Sequence, residues 1–270
     1  MRRFLTGFAL ALLAGGALAA PGPGERLNFL ACPLIRDTTP NCWIAEYAGE
    51  TYYLGAQRGP TDSYLPQMKH QVLVEGVVSD APRVCGGVVI RPARVSVMPE
   101  LDLTCDKPVL PAVGLPPPAP PVRTTLASRP SDAVGGIGSF MRAEPPKPPF
   151  TVRDFKVDFD FDSEILSDQM QRRMIEALTY VRGVNPKKIT VTGYRAATLL
   201  SNGRTLTETE VMAERRARKV ARILINLGAP EQLVSVGWTS AAEPADMAGA
   251  DRRRATITVE PGAEAGVASR

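Results

Sequence analysis

Twelve prolines fall between Asp106 and Phe150, among them Pro116-Pro117-Pro118 and Pro120-Pro121, beside Gly135-Gly136 and almost no periodic apolar pattern. A stretch of this composition cannot bury enough surface to offset the entropy of ordering it, and its prolines favour extended polyproline conformations. The chain is therefore divided. Residues 27–105 form one domain, 106–150 a linker, 151–261 a second domain and 262–270 a flexible tail. At ~3.1 Å per extended residue the linker reaches on the order of 100 Å. That reach suits a protein bridging two layers of an envelope; a plain spacer is the other reading.

The N-terminus points to export. Arg2 and Arg3 precede an apolar run from Phe4 to Leu13, and Ala17-Leu18-Ala19 has the small-x-small form of a cleavage site, so residues 1–20 read as a signal peptide. The apolar core is about half the ~20 residues of a spanning helix. An uncleaved anchor is the alternative. No cysteine follows the cleavage site to take a lipid, and nothing downstream is long and apolar enough to cross a bilayer as a helix. The formal charge of +4 includes Arg2 and Arg3, so the mature chain stands near +2, a balance that does not suggest nucleic acid.

Cys32, Cys42, Cys85 and Cys105 all precede the linker. An even count in an exported chain reads as two disulfides. Three pairings are open, and short loops favour Cys32 with Cys42 and Cys85 with Cys105. No Cys-x-x-Cys spacing supports zinc, and the lone His70 completes no ligand set, so no metal or other cofactor is expected. Around these cysteines, residues 71–78, 88–90 and 95–97 are rich in β-branched residues and separated by Asp80, Pro82 and Gly86-Gly87. A small disulfide-bonded β domain follows, with Trp43, Tyr47, Tyr52 and Tyr53 supplying its core or a binding face. It shows no catalytic set.

Beyond the linker, Phe155, Val157, Phe159 and Phe161 share one face of a strand, and Lys156, Asp158, Asp160 and Asp162 the other. A calcium loop would need turn residues where Phe159 and Phe161 stand. Ser167 caps a helix carrying Met170, Met174, Ala177, Leu178 and Val181 at helical spacing, which ends at Gly183 and Pro186. Residues 189–192 form the next strand. Thr207 and Glu210 have capping-box spacing, which starts a second helix at Thr207 that runs to Leu227 and stops at Gly228-Ala229-Pro230. Residues 233–238 and 255–259 are closing strands. The sum is an α+β, two-layer βαβαββ domain with both helices on one sheet.

Val157-Asp158-Phe159-Asp160-Phe161-Asp162-Ser163 resembles the first strand of OmpA-like cell-wall-anchoring domains. Val191-Thr192-Gly193-Tyr194 sits where that family carries a Gly-His-Thr-Asp turn, and Glu214 to Val220 is similar to its helix motif Ser-x-x-Arg-Ala-x-x-Val. Glu243-Pro244, then Asp251-Arg252-Arg253-Arg254, are similar to its closing Glu-x-x-Pro and Asn-Arg-Arg-Val. The resemblance implies a peptidoglycan-associating domain whose helix arginine and turn aspartate hold the free ends of diaminopimelate in the stem peptide. Arg216 matches the arginine, at the edge of the buried stripe Ala213, Ala217, Val220, Leu224 and Leu227; Arg215, Arg218 and Arg222 point to water. Its planar fork suits a carboxylate.

Ala196 stands where the family has its aspartate, and residues 198–204 lengthen the gap to Arg216, with Asn202-Gly203 a turn signal. Either Glu208 or Glu210 compensates, the ligand differs, or binding is lost. Arg253 is expected to point inward, with Arg252 and Arg254 exposed. The ligand contacts implied are Arg216, Tyr194, Arg195 and Arg253. The reading is thus a non-catalytic periplasmic or cell-envelope protein, with outer-membrane association, whose OmpA-like domain binds peptidoglycan and whose residues 27–105 bind another envelope protein. The alternative is an envelope protein-interaction module that has lost peptidoglycan binding. A cell-wall hydrolase ranks last, because no Ser/His/Asp, Cys/His or metal constellation is present.

Overall fold

The computed structural model describes residues 21–38, 41–56, 67–91, 93–106, 109–111 and 146–262. Residues 1–20, expected to be a signal peptide, most of the Pro-rich stretch and residues 263–270 lie outside the described residues. No helix among the described residues is long and apolar enough to cross a membrane.

The N-terminal part contains eight strands: β1 (Arg26–Ala31), β2 (Pro33–Asp37), β3 (Cys42–Tyr47), β4 (Glu50–Ala56), β5 (His70–Val77), β6 (Val88–Val89), β7 (Arg94–Leu101) and β8 (Leu110–Pro111). They form two sheets, ordered β1-β5-β7 and β6-β4-β3-β2-β8. Ala48 and Gly49 both hold positive φ, which is the twist a two-residue hairpin between β3 and β4 requires. Alternate residues of the smaller sheet, Leu27, Phe29, Val72 and Val74, meet Ala45 and Tyr52 of the larger one in a shared core. Trp43 and Tyr52 are buried, and Tyr47 stacks on Phe29 with ring centroids 4.7 Å apart, so these aromatics serve packing.

Two disulfides close this part, but not in the expected pairing: Cys32 joins Cys105 and Cys42 joins Cys85. Loop length was a poor guide because closure entropy rises only with the logarithm of length. Strand topology decides instead. β3 begins at Cys42 beside Arg36 of β2, and Nη1 of Arg36 donates to the Cys85 carbonyl at 2.6 Å.

The C-terminal part has β9 (Arg153–Asp158), α1 (Asp168–Val184), β10 (Pro186–Gly193), β11 (Ala196–Leu199), β12 (Thr205–Thr207), α2 (Met212–Asn226), β13 (Val234–Trp238), β14 (Glu243–Asp246) and β15 (Arg254–Pro261). The main sheet is ordered β13-β10-β15-β9, with β10 and β13 parallel and β15 antiparallel to both neighbours. Its strands and the two helices follow one another as β9, α1, β10, α2, β13, β15. Three further strands make a second sheet, β12-β11-β14, absent from the sequence expectation.

Both helices cover one face of the main sheet through Met174, Ala177, Val181, Val220 and Leu224, which meet Val157, Ile189, Val191 and Ile257. Ser167 caps α1 as expected, its hydroxyl accepting from the Met170 amide. The start of α2 differs from the Thr207 expectation. Thr207 pairs with Ala197 as the end of β12, and the helix begins only at Met212, after Glu208 has turned inward. Leu227, expected in the buried stripe, is the exposed residue that ends α2.

Candidate functional site

The site begins where β10 runs out against α2. A Cβ on Gly193 would lie 1.9 Å from the Ala213 carbonyl oxygen, so only glycine lets the strand end pass the helix this closely. That approach brings the Tyr194 carbonyl to Arg216, whose side chain has no exposure at all. Each of its five N–H groups is used. Nε donates to the Ser163 carbonyl at 3.0 Å; Nη1 donates to the Tyr194 carbonyl at 3.0 Å and Glu208 Oε2 at 2.8 Å; Nη2 donates to the Asp160 carbonyl at 2.9 Å and Glu208 Oε1 at 2.5 Å. The Phe159 ring lies 5.1 Å below the guanidinium.

Glu208 occupies the face of the guanidinium formed by its two terminal nitrogens. Besides Arg216, its Oε1 accepts from the Asp162 amide at 2.9 Å and its Oε2 from the Ala196 amide at 2.8 Å. Ala196 is fully buried, and its amide is one of the two that hold Glu208 in place. The Asp162 carboxylate in turn accepts from the amide and hydroxyl of Thr209, both at 2.8 Å, which fixes the turn carrying Glu208.

Residues 158–258 match the model of the OmpA family. The segment is an OmpA-family domain. Solved structures similar to the chain include the OmpA-like domain of FopA1 from Francisella tularensis subsp. tularensis SCHU S4, at 18% identity over 41% of this chain and 73% of that one, with a TM-score of 0.32. The cell wall anchor of the T6SS from Pseudomonas aeruginosa has 22% identity over 41% and 82%, with a TM-score of 0.33. The periplasmic domain of Helicobacter pylori MotB has 19% identity over 42% and 80%, with a TM-score of 0.30. No curated protein matches the chain.

The other residues expected at a ligand site are also engaged within the chain. Tyr194 carries the Arg254 guanidinium 4.3 Å above its ring, and its amide donates to the Arg254 carbonyl. Arg195 donates to the carbonyls of Ser240 and Glu208, both at 2.6 Å. Arg253 points inward as expected and is fully buried, but its partner is Glu75 of the N-terminal part. Arg252 and Arg254, expected in solvent, are half-buried in ion pairs with Asp246 and Glu243.

The OmpA-family domain is therefore not held at a distance from residues 27–105, as the tether reading had it. The two parts pack together. Alternation on the β1-β5-β7 sheet sends one set of residues into the sandwich core and the other, Asn28, Leu30, Leu73, Glu75, Ser96 and Met98, onto the OmpA-family domain. Leu73 packs with Phe161 and Leu200 in a seam joined by Leu30, Met98 and Leu206. Asn28 donates through Nδ2 to the carbonyls of Leu199 at 2.9 Å and Met247 at 3.0 Å, and its backbone exchanges hydrogen bonds with Ser201. The Ser96 hydroxyl accepts from the Phe161 amide at 2.9 Å, and Thr198 donates to Glu75 at 3.2 Å.

Asp160, partly buried at this junction, has its carboxyl pushed above the usual range by burial, while Arg253, Arg94 and Arg216 pull it back. Sequence reasoning missed the contribution of Asn28, Glu75 and Ser96. One signal was available: Glu75 interrupts the apolar run Val72-Leu73-Val74, and a charge inside a strand buried on both faces needs a partner of opposite sign.

Proposed function

We propose that this chain is a non-catalytic cell-envelope protein, exported through residues 1–20, whose OmpA-family domain works as a protein-docking module joined to a disulfide-bonded β unit. In the docked form Arg216 makes no stem-peptide grip. The observation that carries this reading is the filled arginine site: all five guanidinium donors are spent inside the chain, two of them on a carboxylate the chain itself provides. A ligand carboxylate would have to displace Glu208 from four hydrogen bonds. Residues 27–105 and the exposed surfaces of the OmpA-family domain would then meet other envelope proteins.

The second reading, peptidoglycan association in the periplasm, is favoured by the match of residues 158–258 to the OmpA family. Sedimentation of the full-length protein with purified peptidoglycan separates the two. The docking reading expects the protein to stay in the supernatant. Co-sedimentation that is lost on adding soluble stem peptide would overturn it in favour of peptidoglycan association.

A further inference from the structure

We infer that the β1-β5-β7 sheet is a cap on the OmpA-family domain: while docked it locks Glu208 onto Arg216, and its release frees Arg216 for a carboxylate from outside the chain. The inference rests on the closed-site reading above and adds what keeps the site closed.

Glu208 is held from two backbone segments, through the amides of Asp162 and Ala196. Each segment is also held by the N-terminal part. On the first, the neighbouring amide, Phe161, donates to the Ser96 hydroxyl at 2.9 Å, and the Phe161 ring is wedged against Leu73 and Leu200. On the second, Thr198 lies two residues beyond Ala196 and donates to Glu75, the partner of Arg253. The loop that lengthens this segment relative to the family bonds Asn28 at its tip through Ser201. That loop is thus a seat of the cap, its Ser201 four residues before β12 and the turn that carries Glu208. Both backbone segments that donate to the Glu208 carboxylate thus touch the docked sheet, while the Thr209–Asp162 and Arg195–Glu208 bonds hold the turn from within the domain.

The seam is built to part. It is mixed: Asn28, Glu75, Ser96, Thr198 and Arg253 are buried in it beside the apolar cluster of Leu73, Phe161 and Leu200. The polar groups regain water when two surfaces separate, so a mixed seam resists opening less than an apolar core of the same area. When it opens, the Phe161-Asp162 turn and β11 lose their outer supports together, and Glu208 loses the two amides that hold it against Arg216.

The test uses the full-length protein with Glu75→Gln and Ser96→Ala combined, read by amide hydrogen exchange and by sedimentation with purified peptidoglycan. Faster exchange at Asn28 and Ser201 reports release of the cap. The expected result is that Asp162 and Ala196 then lose at least ~10-fold of their protection, and that the protein gains sedimentation which Arg216→Ala in the same background removes. Should the first pair of substitutions leave Asn28 and Ser201 protected, Ser96→Trp, too large for that buried position, forces the surfaces apart. Released surfaces with Asp162 and Ala196 still protected would overturn the coupling. Loosened amides with no gain in sedimentation would overturn the assignment of freed Arg216 as a carboxylate site. Failure of the underlying reading is separate: it is seen in the unaltered protein, as sedimentation without release.

Discussion

Arg216 and Glu208 meet through both oxygens of one and both terminal nitrogens of the other, and neither side chain is exposed. Eight residues apart in sequence, they form a paired fork whose remaining donors and acceptors are taken by backbone groups. Removing one member leaves the other buried without a counter-charge, which typically costs about 3–5 kcal/mol. Arg216→Ala is therefore expected to lower the urea midpoint of the domain substantially. Arg222→Ala, on the exposed face of the same helix, should stay within about 0.5 kcal/mol of the unaltered protein. Equal midpoints for the two variants would show that the pair carries no stability.

Ala196→Asp restores the family's acid at a position that has no room for it. Ala196 is fully buried, and its amide already serves Glu208. A second carboxylate there faces the first across a few ångströms with a single guanidinium between them, so the variant should melt well below the unaltered protein. Pairing it with Glu208→Ala should recover most of the loss. A variant as stable as the parent would mean that Glu208 leaves the site readily.

Much of the domain was legible because its periods are plain. The alternation of Phe155, Val157 and Phe159 and the stripe of Ala213, Ala217, Val220 and Leu224 each name a face buried in the main core, whereas β9 ends at Asp158 and Phe161, expected on the same strand face, is buried in the seam instead. The start of α2 was misread because Thr207 and Glu210 satisfy a local capping rule, while a tertiary contact, Glu208 to Arg216, holds the backbone extended beyond it. The role of Arg253 was half legible. Strand alternation gives its direction, but Glu75, 178 residues away, lies beyond any local pattern. The same holds for the cap as a whole. Asn28, Ser96 and Met98 meet partners in the OmpA-family domain that no local pattern connects to them.

Non-reducing peptide mapping should recover Cys32 with Cys105 and Cys42 with Cys85, and no free thiol among the four. Cys32 and Cys105 tie β1 to the turn that follows β7, across a separation of 73 residues. Replacing both by serine should cost about 2–5 kcal/mol, measured by denaturant unfolding with the other disulfide intact. Peptides linking Cys32 to Cys42 would refute this topology.

Asp160 gives the fold a pH dependence of definite sign. Burial raises its folded carboxyl above the ordinary 3.8, so between that value and the raised one the folded chain binds more protons than the unfolded chain. Its contribution is therefore most favourable in acid and declines as pH rises through the window. Asp160→Asn should raise the melting temperature at pH 7, and the gain should shrink towards zero as pH falls to about 4. A gain that grows in acid would reverse the assignment.

Strand β15 lies between β10 and β9, and Arg253 stands at its threshold, so one stretch of sequence completes both the main sheet and the seam. Contacts of such sequence separation form late, because a long loop must close before they are rewarded. Until then the outer face of β1-β5-β7 waits with Glu75 bare beside Leu30, Leu73 and Met98, a sticky acidic patch on an otherwise finished sandwich. Burial of that patch, and with it the finished form of the sandwich, therefore waits on the pairing of β15 with β10 and β9.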